Sequence, residues 1–260
     1  MQDLKVALVQ AHQAWEDKRA NLEHFENLLL NLDSDVDLLA FPEMFHTGFT
    51  MNVQEMGESM EESEGINWLR KVAKEKNTAV CASLIIKEHN YFYNRFIFIT
   101  PDNKLFHYDK NQLFTLANED DHFTPGHHQK IVNYKGWKLK LQVCYDLRFP
   151  ENARNKVDEE HNFDFDALIY LANWPERRAL HWTTLLRARA IENQCYLLGC
   201  NRVGEDDNEI KYNGNSMIID PLGEILANSE KEEILYATWN YEHLASNRER
   251  FAFLKDRTRG

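Results

Sequence analysis

Three residues that can do covalent chemistry follow apolar, strand-like segments of this sequence. Cys144 comes where an alternating apolar segment ends and a charged turn begins, Glu43 follows the apolar run 38–42, and Lys110 follows residues 105–109. A cysteine nucleophile reacts as the thiolate, so it needs a base to take its proton or a cation to favour the charged form. Because reacting groups gather at the carboxyl ends of strands, we expect these three side chains to meet at one edge of a sheet.

Attack on an acyl carbon is the chemistry that this set favours. The tetrahedral intermediate carries an oxyanion, which Lys110 and the backbone N–H of Tyr145 would hold if the chain turns sharply after Cys144. Each residue also has a plainer interpretation. Cysteine is often a small core residue, Glu43 could stabilise a helix N-terminus, and Lys110 could be a solvated loop lysine. Spacing alone leaves both interpretations open.

The other thiols and the histidines give weaker signals. Three further cysteines lie inside apolar runs and are predicted to be core residues: Cys81, Cys195 and Cys200. No pair is spaced as Cys-x-x-Cys, which argues against a zinc site, and a chain this long with four cysteines is not a disulfide framework. The eleven histidines leave a histidine-dependent cysteine hydrolase open, although none follows a strand as Glu43 does. The pair 127–128 lacks carboxylates at metal-binding spacing.

Composition excludes several classes of function. The 260 residues are 43% hydrophobic, 28% charged and 12% aromatic, which is typical of a soluble globular protein. A net charge of −12 argues against nucleic-acid binding. No secretory signal, no membrane-spanning run and no glycine-rich phosphate loop is present, so we expect a cytoplasmic protein that binds neither membranes nor nucleotides. Neither a metal nor an organic cofactor is predicted.

Periodicity predicts an α/β fold with strands and helices in alternation. Strands are predicted over residues 4–10, 36–41, 78–86, 91–100, 104–108, 137–144, 167–172, 196–201, 215–219, 224–227 and 234–239. Helices are predicted over residues 15–32, 66–75, 152–155, 178–193 and 241–251. The apolar side of 178–193 is predicted to carry Leu185, Leu186, Ala188 and Ile191. Turn signals at 101–103 and 220–223 predict hairpins. With no linker, a single domain over residues 1–260 is expected, built from two face-to-face mixed sheets with helices outside or from one mixed sheet.

Three local motifs resemble the catalytic segments of the nitrilase superfamily of carbon–nitrogen hydrolases. They are FPE at 41–43, YDK at 108–110 and VCYDLRFP at 143–150, in the family's order of glutamate, lysine and cysteine. The similarity extends from residues 6–10 to the helical stretch 187–193. It implies a four-layer αββα sandwich, commonly paired as a homodimer.

The resemblance also implies a role for each site residue. Glu43 would be the general base, Lys110 the oxyanion partner and Cys144 the nucleophile that forms a thioester. Glu119 matches the family's second active-site glutamate, which would hold the lysine. From its sequence context alone, Glu119 would be an ordinary residue of a solvated acidic loop.

Within the superfamily, residues 144–150, 173–175 and 200–204 resemble the omega-amidase branch. That branch removes the terminal amide of 2-oxo acid amides such as 2-oxoglutaramate and 2-oxosuccinamate. Its substrate carries a carboxylate, for which Arg148, Arg177 and Arg202 are candidates by position, each with a structural role as the alternative. Trp174 is a candidate for the pocket wall or a packed loop aromatic. Open alternatives are a sister amidase for N-carbamoyl amines or deaminated peptides, and a catalytically silent binding module.

Overall fold

Two six-stranded sheets dominate the architecture of this protein. The structure is a computed structural model that describes residues 2–158, 160 and 162–256. Its strands are β1 Leu4–Gln10, β2 Leu38–Ala40, β3 Ala79–Glu88, β4 Tyr91–Ile99, β5 Leu105–Asp109, β6 Ile131–Tyr134, β7 Trp137–Val143, β8 Ala167–Leu171, β9 Tyr196–Cys200, β10 Val203–Glu205, β11 Lys211–Asn213, β12 Ser216–Ile219, β13 Ile225–Ser229 and β14 Glu233–Trp239. Its α-helices are α1 Lys18–Leu28, α2 Val53–Met56, α3 Glu64–Lys76, α4 Glu119–His122, α5 Ala179–Asn193 and α6 Tyr241–Arg250. None of the described helices is long and apolar enough to cross a bilayer.

Both large sheets have the same plan, with parallel strands at the centre and antiparallel strands outside. The first has the order β14-β1-β2-β3-β4-β5, and the second has the order β13-β12-β9-β8-β7-β6. The strands β1, β2 and β3 run parallel, as do β7, β8 and β9. The predicted hairpins β4–β5 and β12–β13 are confirmed. Parallel central strands are buried on both faces, which explains their continuous apolar sequences.

The sheets pack face to face and helices cover their outer faces. One apolar cluster joins Leu8 of the first sheet to Leu139, Ile169 and Leu198 of the second. Helices α1 and α3 share a second cluster with the outer face of the first sheet, and α5 shares a third with the second sheet. The layers are therefore helix, sheet, sheet, helix. This arrangement confirms the two-sheet alternative over the single mixed sheet.

Two helices differ from their sequence-based predictions. Helix α1 is shorter than the predicted 15–32 at both ends. The Asp17 carboxylate caps its first turn by accepting the Ala20 N–H at 2.9 Å, and a 3₁₀ turn, Leu29–Asn31, follows its last residue. Residues 152–155 form no α-helix; a 3₁₀ turn covers Pro150–Ala153 instead. On α5 the predicted apolar side included Ile191, which is 51% exposed.

The buried side of α5 is partly polar, which explains the wrong prediction of its inward face. Trp182 and Leu186 are buried there together with Arg189 and Asn193. The Arg189 guanidinium donates to the Leu147 carbonyl oxygen at 2.8 Å, behind the turn that follows β7. A search for apolar periodicity cannot find a face whose polar groups are buried through hydrogen bonds.

The core between the sheets provides a test of the packing. Leu198 is fully buried there, so Leu198→Ala is expected to lower the free energy of unfolding by about 2–5 kcal/mol through lost burial and a cavity. Leu30 is 77% exposed, and Leu30→Ala is expected to change it by less than about 0.5 kcal/mol. Urea unfolding measures both variants, and equal effects would contradict this packing.

Candidate active site

The strand ends named by the sequence lie together in the structure. The Lys110 Nζ atom lies 2.9 Å from Glu43 Oε1 and 2.9 Å from both carboxylate oxygens of Glu119. All three side chains are completely buried. Glu43 follows β2, Lys110 directly follows β5, and Glu119 begins α4. Two strands of the first sheet and a short helix thus supply one ion triad.

Charge balance in this triad keeps the lysine protonated. Burial alone would lower the pKa of Lys110, but the carboxylates of Glu119 and Glu43 outweigh it and raise the pKa. Burial, with the charge of Glu43, raises the pKa of Glu119 against the opposing effect of Lys110. One cation between two carboxyl groups makes a fixed, positively charged donor beside the thiol.

Two asparagines orient the Glu43 carboxylate. Asn94 on β4 donates its Nδ2–H to Glu43 Oε1 at 2.7 Å. The Asn173 backbone N–H, just beyond β8, donates to Glu43 Oε2 at 2.9 Å, and its Nδ2 donates to the Glu43 carbonyl oxygen at 2.5 Å. Sequence analysis missed Asn94, because an asparagine inside an apolar strand carries no local signal of its partner.

Cys144 sits on a sharp turn directly after β7. Its φ is +42°, a left-handed conformation that non-glycine residues seldom adopt and that is costly unless the surroundings enforce it. Burial and the nearby Glu43 carboxylate raise the pKa of the Cys144 thiol well above its ordinary value, while Lys110 opposes them. The resting group is therefore a thiol beside a carboxylate that can take its proton.

Asp146 holds this turn in place. Its carboxylate accepts the Val143 N–H at 2.9 Å, the Gln112 N–H at 3.0 Å and the Tyr108 hydroxyl at 2.9 Å. Burial raises the pKa of Asp146 to about 6, and these three donors act against that rise. At neutral pH the group is a carboxylate that ties the turn at Cys144 to the segment around Lys110.

A glycine makes room for the lysine segment. The Gly126 N–H donates to the Lys110 carbonyl oxygen at 2.9 Å. A Cβ atom at Gly126 would lie 2.2 Å from the Asp109 carbonyl oxygen, much closer than van der Waals contact allows. Only glycine can therefore occupy this position without displacing the backbone at Lys110.

A cavity of about 520 Å³ opens above Cys144 and Lys110. Four of the residues predicted for the site line its walls: Tyr145, Arg148, Trp174 and Arg177. The Arg148 guanidinium lies 4.7 Å from the centre of the Trp174 ring. The structure also places apolar side chains there that sequence analysis did not name, among them Phe49 and Phe114. They come from loops whose approach depends on the tertiary fold.

Arg202 does not line this cavity. Its buried guanidinium packs 4.5 Å from the centre of the Tyr212 ring, and its Nη2 donates to the Gln13 carbonyl oxygen at 3.0 Å. Burial lowers the pKa of Arg202. The expectation that Arg202 contacts substrate does not fit this placement, because the side chain turns away from the cavity into the protein. Its position gives it a packing role.

The described part of the chain contains no group of three or more His, Cys, Asp or Glu side chains arranged to hold a metal ion. The reactive groups at the floor of the cavity are the Lys110 amine, the carboxyl groups of Glu43 and Glu119, and the Cys144 thiol. They can carry out proton transfer, nucleophilic attack and oxyanion stabilisation.

Comparison with known proteins agrees with the chemistry of this site. Residues 5–249 match the model of the carbon–nitrogen hydrolase family. The chain belongs to that family. It is 44% identical to the omega-amidase YafV of Yersinia enterocolitica and 38% identical to that of Escherichia coli K12, each over 98% of this chain and 97% of the relative. It is 32% identical to the 2-oxoglutaramate amidase of Bacillus subtilis, over 91% of this chain and 90% of the relative.

Solved structures show the same fold. A carbon–nitrogen hydrolase superfamily protein of Xanthomonas campestris, which holds an arsenic adduct in its active site, matches with a TM-score of 0.97 and 38% identity over 100% of this chain and 99% of that one. Nit3 of Saccharomyces cerevisiae, a nitrilase-superfamily member, matches with a TM-score of 0.83 and 27% identity over 97% and 95%. The family and the αββα sandwich predicted from the sequence are confirmed.

Removing the charge of Glu43 tests the electrostatics of the thiol. In Glu43→Gln the pKa of Cys144 is expected to fall, because a negative neighbour is lost while Lys110 remains. The pH profile of Cys144 alkylation by iodoacetamide, followed by mass spectrometry, should then shift to lower pH. The control Glu55→Gln changes an exposed glutamate on α2 and should leave the profile in place. An unshifted profile in Glu43→Gln would contradict this electrostatic description.

Proposed function

We propose that this protein hydrolyses the terminal amide of small 2-oxo acid amides, such as 2-oxoglutaramate and 2-oxosuccinamate, to the 2-oxo diacid and ammonia. The observation that carries the proposal is the buried Glu43–Lys110–Glu119 triad beside the Cys144 turn, at the floor of a cavity. The names of relatives at 32–44% identity over nearly the whole chain support this class of substrate. The reactants are the small-molecule amide and water.

In the first half of the reaction Cys144 becomes an acyl carrier. Glu43 takes the thiol proton as the sulfur attacks the amide carbon. The oxygen of the tetrahedral intermediate becomes negative and is stabilised by the Lys110 ammonium and the Tyr145 N–H. Glu43 then gives its proton to the amide nitrogen, the carbon–nitrogen bond breaks, and ammonia leaves a thioester on Cys144.

Water completes the second half. Glu43 removes a proton from water, the hydroxide attacks the thioester carbon, and the same donors hold the second oxyanion. Collapse of this intermediate breaks the carbon–sulfur bond and returns the proton from Glu43 to the sulfur. Glu119 keeps Lys110 in position throughout, since both of its oxygens accept from the ammonium.

Substitution of the nucleophile tests this function directly. Cys144→Ala is expected to lower kcat for ammonia release from 2-oxoglutaramate by about 10⁴–10⁶-fold, because no thioester can form. Cys195→Ala, at a buried cysteine outside the cavity, is the matched control and should keep most of the activity. A coupled assay of ammonia measures both. Full activity in Cys144→Ala would overturn the mechanism, and release from neutral or N-carbamoyl substrates alone would favour a sister amidase.

We further propose that residues 1–260 form one carbon–nitrogen hydrolase domain that works in the cytoplasm. The core shared by the two sheets supports a single domain, since strands of both sheets contribute to one apolar cluster. All four cysteines are free thiols, which suits a reducing compartment.

A homodimer is the final part of this proposal, with α5 at the interface. Leu180 and Ile191 lie on one side of that helix and are 75% and 51% exposed. The turn at Leu222, itself 47% exposed, adjoins Ile191. Exposed apolar side chains of this kind are what a second copy of the chain covers.

Disrupting that surface should separate the protomers. The double variant Leu180→Glu with Ile191→Glu is expected to change the mass in light scattering after gel filtration from dimer to monomer, because charges are costly at an apolar interface. Leu30→Glu, at another exposed leucine, is the control and should remain dimeric. A wild-type protein that elutes as a monomer at micromolar concentration would overturn the dimer.

A further inference from the structure

Three arginines line the cavity of a protein whose net charge is −12. They are Arg148, Arg177 and Arg178. In the described ranges no carboxylate forms an ion pair with any of them, although acidic residues outnumber basic ones by 42 to 30. Unpaired cations gathered at a cavity wall point to a ligand that brings its own negative charge.

Two of the three are poorly placed to hold such a ligand. The Arg148 Nη2 atom lies 3.2 Å from His181 Nδ1, so one arm of its guanidinium already has a partner. Arg177 is exposed to solvent, where an ion pair contributes little. Arg148 is therefore not free to donate all of its N–H groups into the cavity, and Arg177 is not fixed in position.

Arg178 meets these requirements. It is half-buried, and its guanidinium carbon lies 5.2 Å from the centre of the Phe114 ring, another cavity residue. Its backbone is fixed at both ends, because its N–H donates to the Pro175 carbonyl oxygen at 2.9 Å and its carbonyl oxygen accepts the Trp174 Nε1–H at 2.8 Å. A guanidinium that lies against a ring keeps the N–H groups on its edge for a planar anion.

The ring under Arg178 is tied to the ion triad. The Phe114 N–H donates to Glu119 Oε2 at 2.6 Å, and both Glu119 oxygens accept from Lys110. Consecutive contacts thus connect Arg178 through Phe114 and Glu119 to Lys110, the proposed oxyanion donor. They set the position of Arg178 relative to Lys110. Such a connection fixes the distance at which a substrate can be held from the nucleophile.

The cavity wall also carries the carboxylates of Glu16 and Asp206, but these accept hydrogen bonds from neighbouring groups, whereas no carboxylate of the described residues pairs with the three arginines. Burial and the neighbouring charges of Arg177 and Arg148 lower the pKa of Arg178. An arriving anion would relieve the repulsion among these cations. At the floor, one lysine faces two carboxyl groups. A molecule with a carboxylate at one end and a neutral amide at the other is thus oriented with its amide toward Cys144.

We propose that Arg178 binds the carboxylate of the substrate through paired N–H···O bonds and so selects amides of acids over neutral amides. This inference rests on the proposed hydrolysis of 2-oxo acid amides and names the residue that recognises the far end of the substrate. Sequence analysis named three other arginines, because position along the chain does not tell which guanidinium faces the cavity.

The test compares two substrates that differ only at that end. Levulinamide has the chain of 2-oxoglutaramate with a methyl group in place of the carboxylate. Arg178→Ala is expected to lower kcat/KM for 2-oxoglutaramate by about 10–100-fold, mainly through KM, as loss of a charged hydrogen-bonded pair does. Its kcat/KM for levulinamide should stay within about twofold of wild type. Arg178→Lys, which keeps the charge but not the planar fork, should give an intermediate loss.

Controls and alternative outcomes separate this proposal from the proposed function. Arg19→Ala removes the same charge from an arginine that is 86% exposed on α1, and it should change neither substrate. An equal loss on both substrates in Arg178→Ala, or an unchanged preference, would overturn the role of Arg178 alone. If Arg177→Ala, and not Arg178→Ala, loses the preference for 2-oxoglutaramate over levulinamide, then Arg177 binds the carboxylate. That outcome would also overturn the role of Arg178. A wild-type protein that cleaves levulinamide but not 2-oxoglutaramate would overturn the proposed function, and this inference with it.

Discussion

The buried ammonium of Lys110 between two carboxyl groups is the interaction on which the rest of this structure depends. Removing a charge from water costs several kcal/mol per ion, and leaving one partner of a buried pair alone costs about 3–5 kcal/mol. Glu43, Lys110 and Glu119 come from different parts of the chain. The triad is therefore complete only when the segments after β2 and β5 and the start of α4 have packed together. The fold is therefore under an electrostatic constraint at its most reactive point.

A second constraint acts on the backbone. The left-handed turn at Cys144 persists because Asp146 accepts three hydrogen bonds around it, two of them from the segment around Lys110. The backbone strain at Cys144 and the buried charges of the triad are thus offset by hydrogen bonds and ion pairs that belong to one network. Such networks are well ordered when every polar group is satisfied and fragile when one is lost. Because such a network must be well ordered, Glu43, Lys110 and Cys144 follow strands and do not lie on long loops.

Much of this site could be predicted from the sequence because its signals are local. Glu43, Lys110 and Cys144 each follow an apolar strand. Hairpins and crossovers leave a single mixed sheet open, and only the family resemblance predicts the two-sheet layering. The structure also brings Glu119 to Lys110, where local sequence suggested only an acidic loop. Asn94, Asp146 and Arg178 could not be found in this way, since their partners are remote in sequence or depend on which way a side chain turns.

The same limit applies to surfaces. The inward face of α5 mixes Trp182 with Arg189, and the outward face carries Ile191, so hydrophobicity along the helix does not separate inside from outside. Arg202 likewise follows β9 at the correct end of the second sheet, yet its side chain packs into the interior. Position along a strand predicts the region of the molecule, whereas orientation is decided by packing and hydrogen bonding.

Gly126 has a consequence for how variation in this protein should be interpreted. It has no functional group, and it lies outside the chemistry described above. Yet every coding change at this position adds a Cβ, which the Asp109 carbonyl oxygen at 2.2 Å excludes. Among sequences that diverge under selection for activity, this glycine should be as invariant as the cysteine. Its invariance would reflect the space occupied by the neighbouring Asp109 peptide group. A ranking of residues by conservation alone would wrongly assign this glycine a catalytic role.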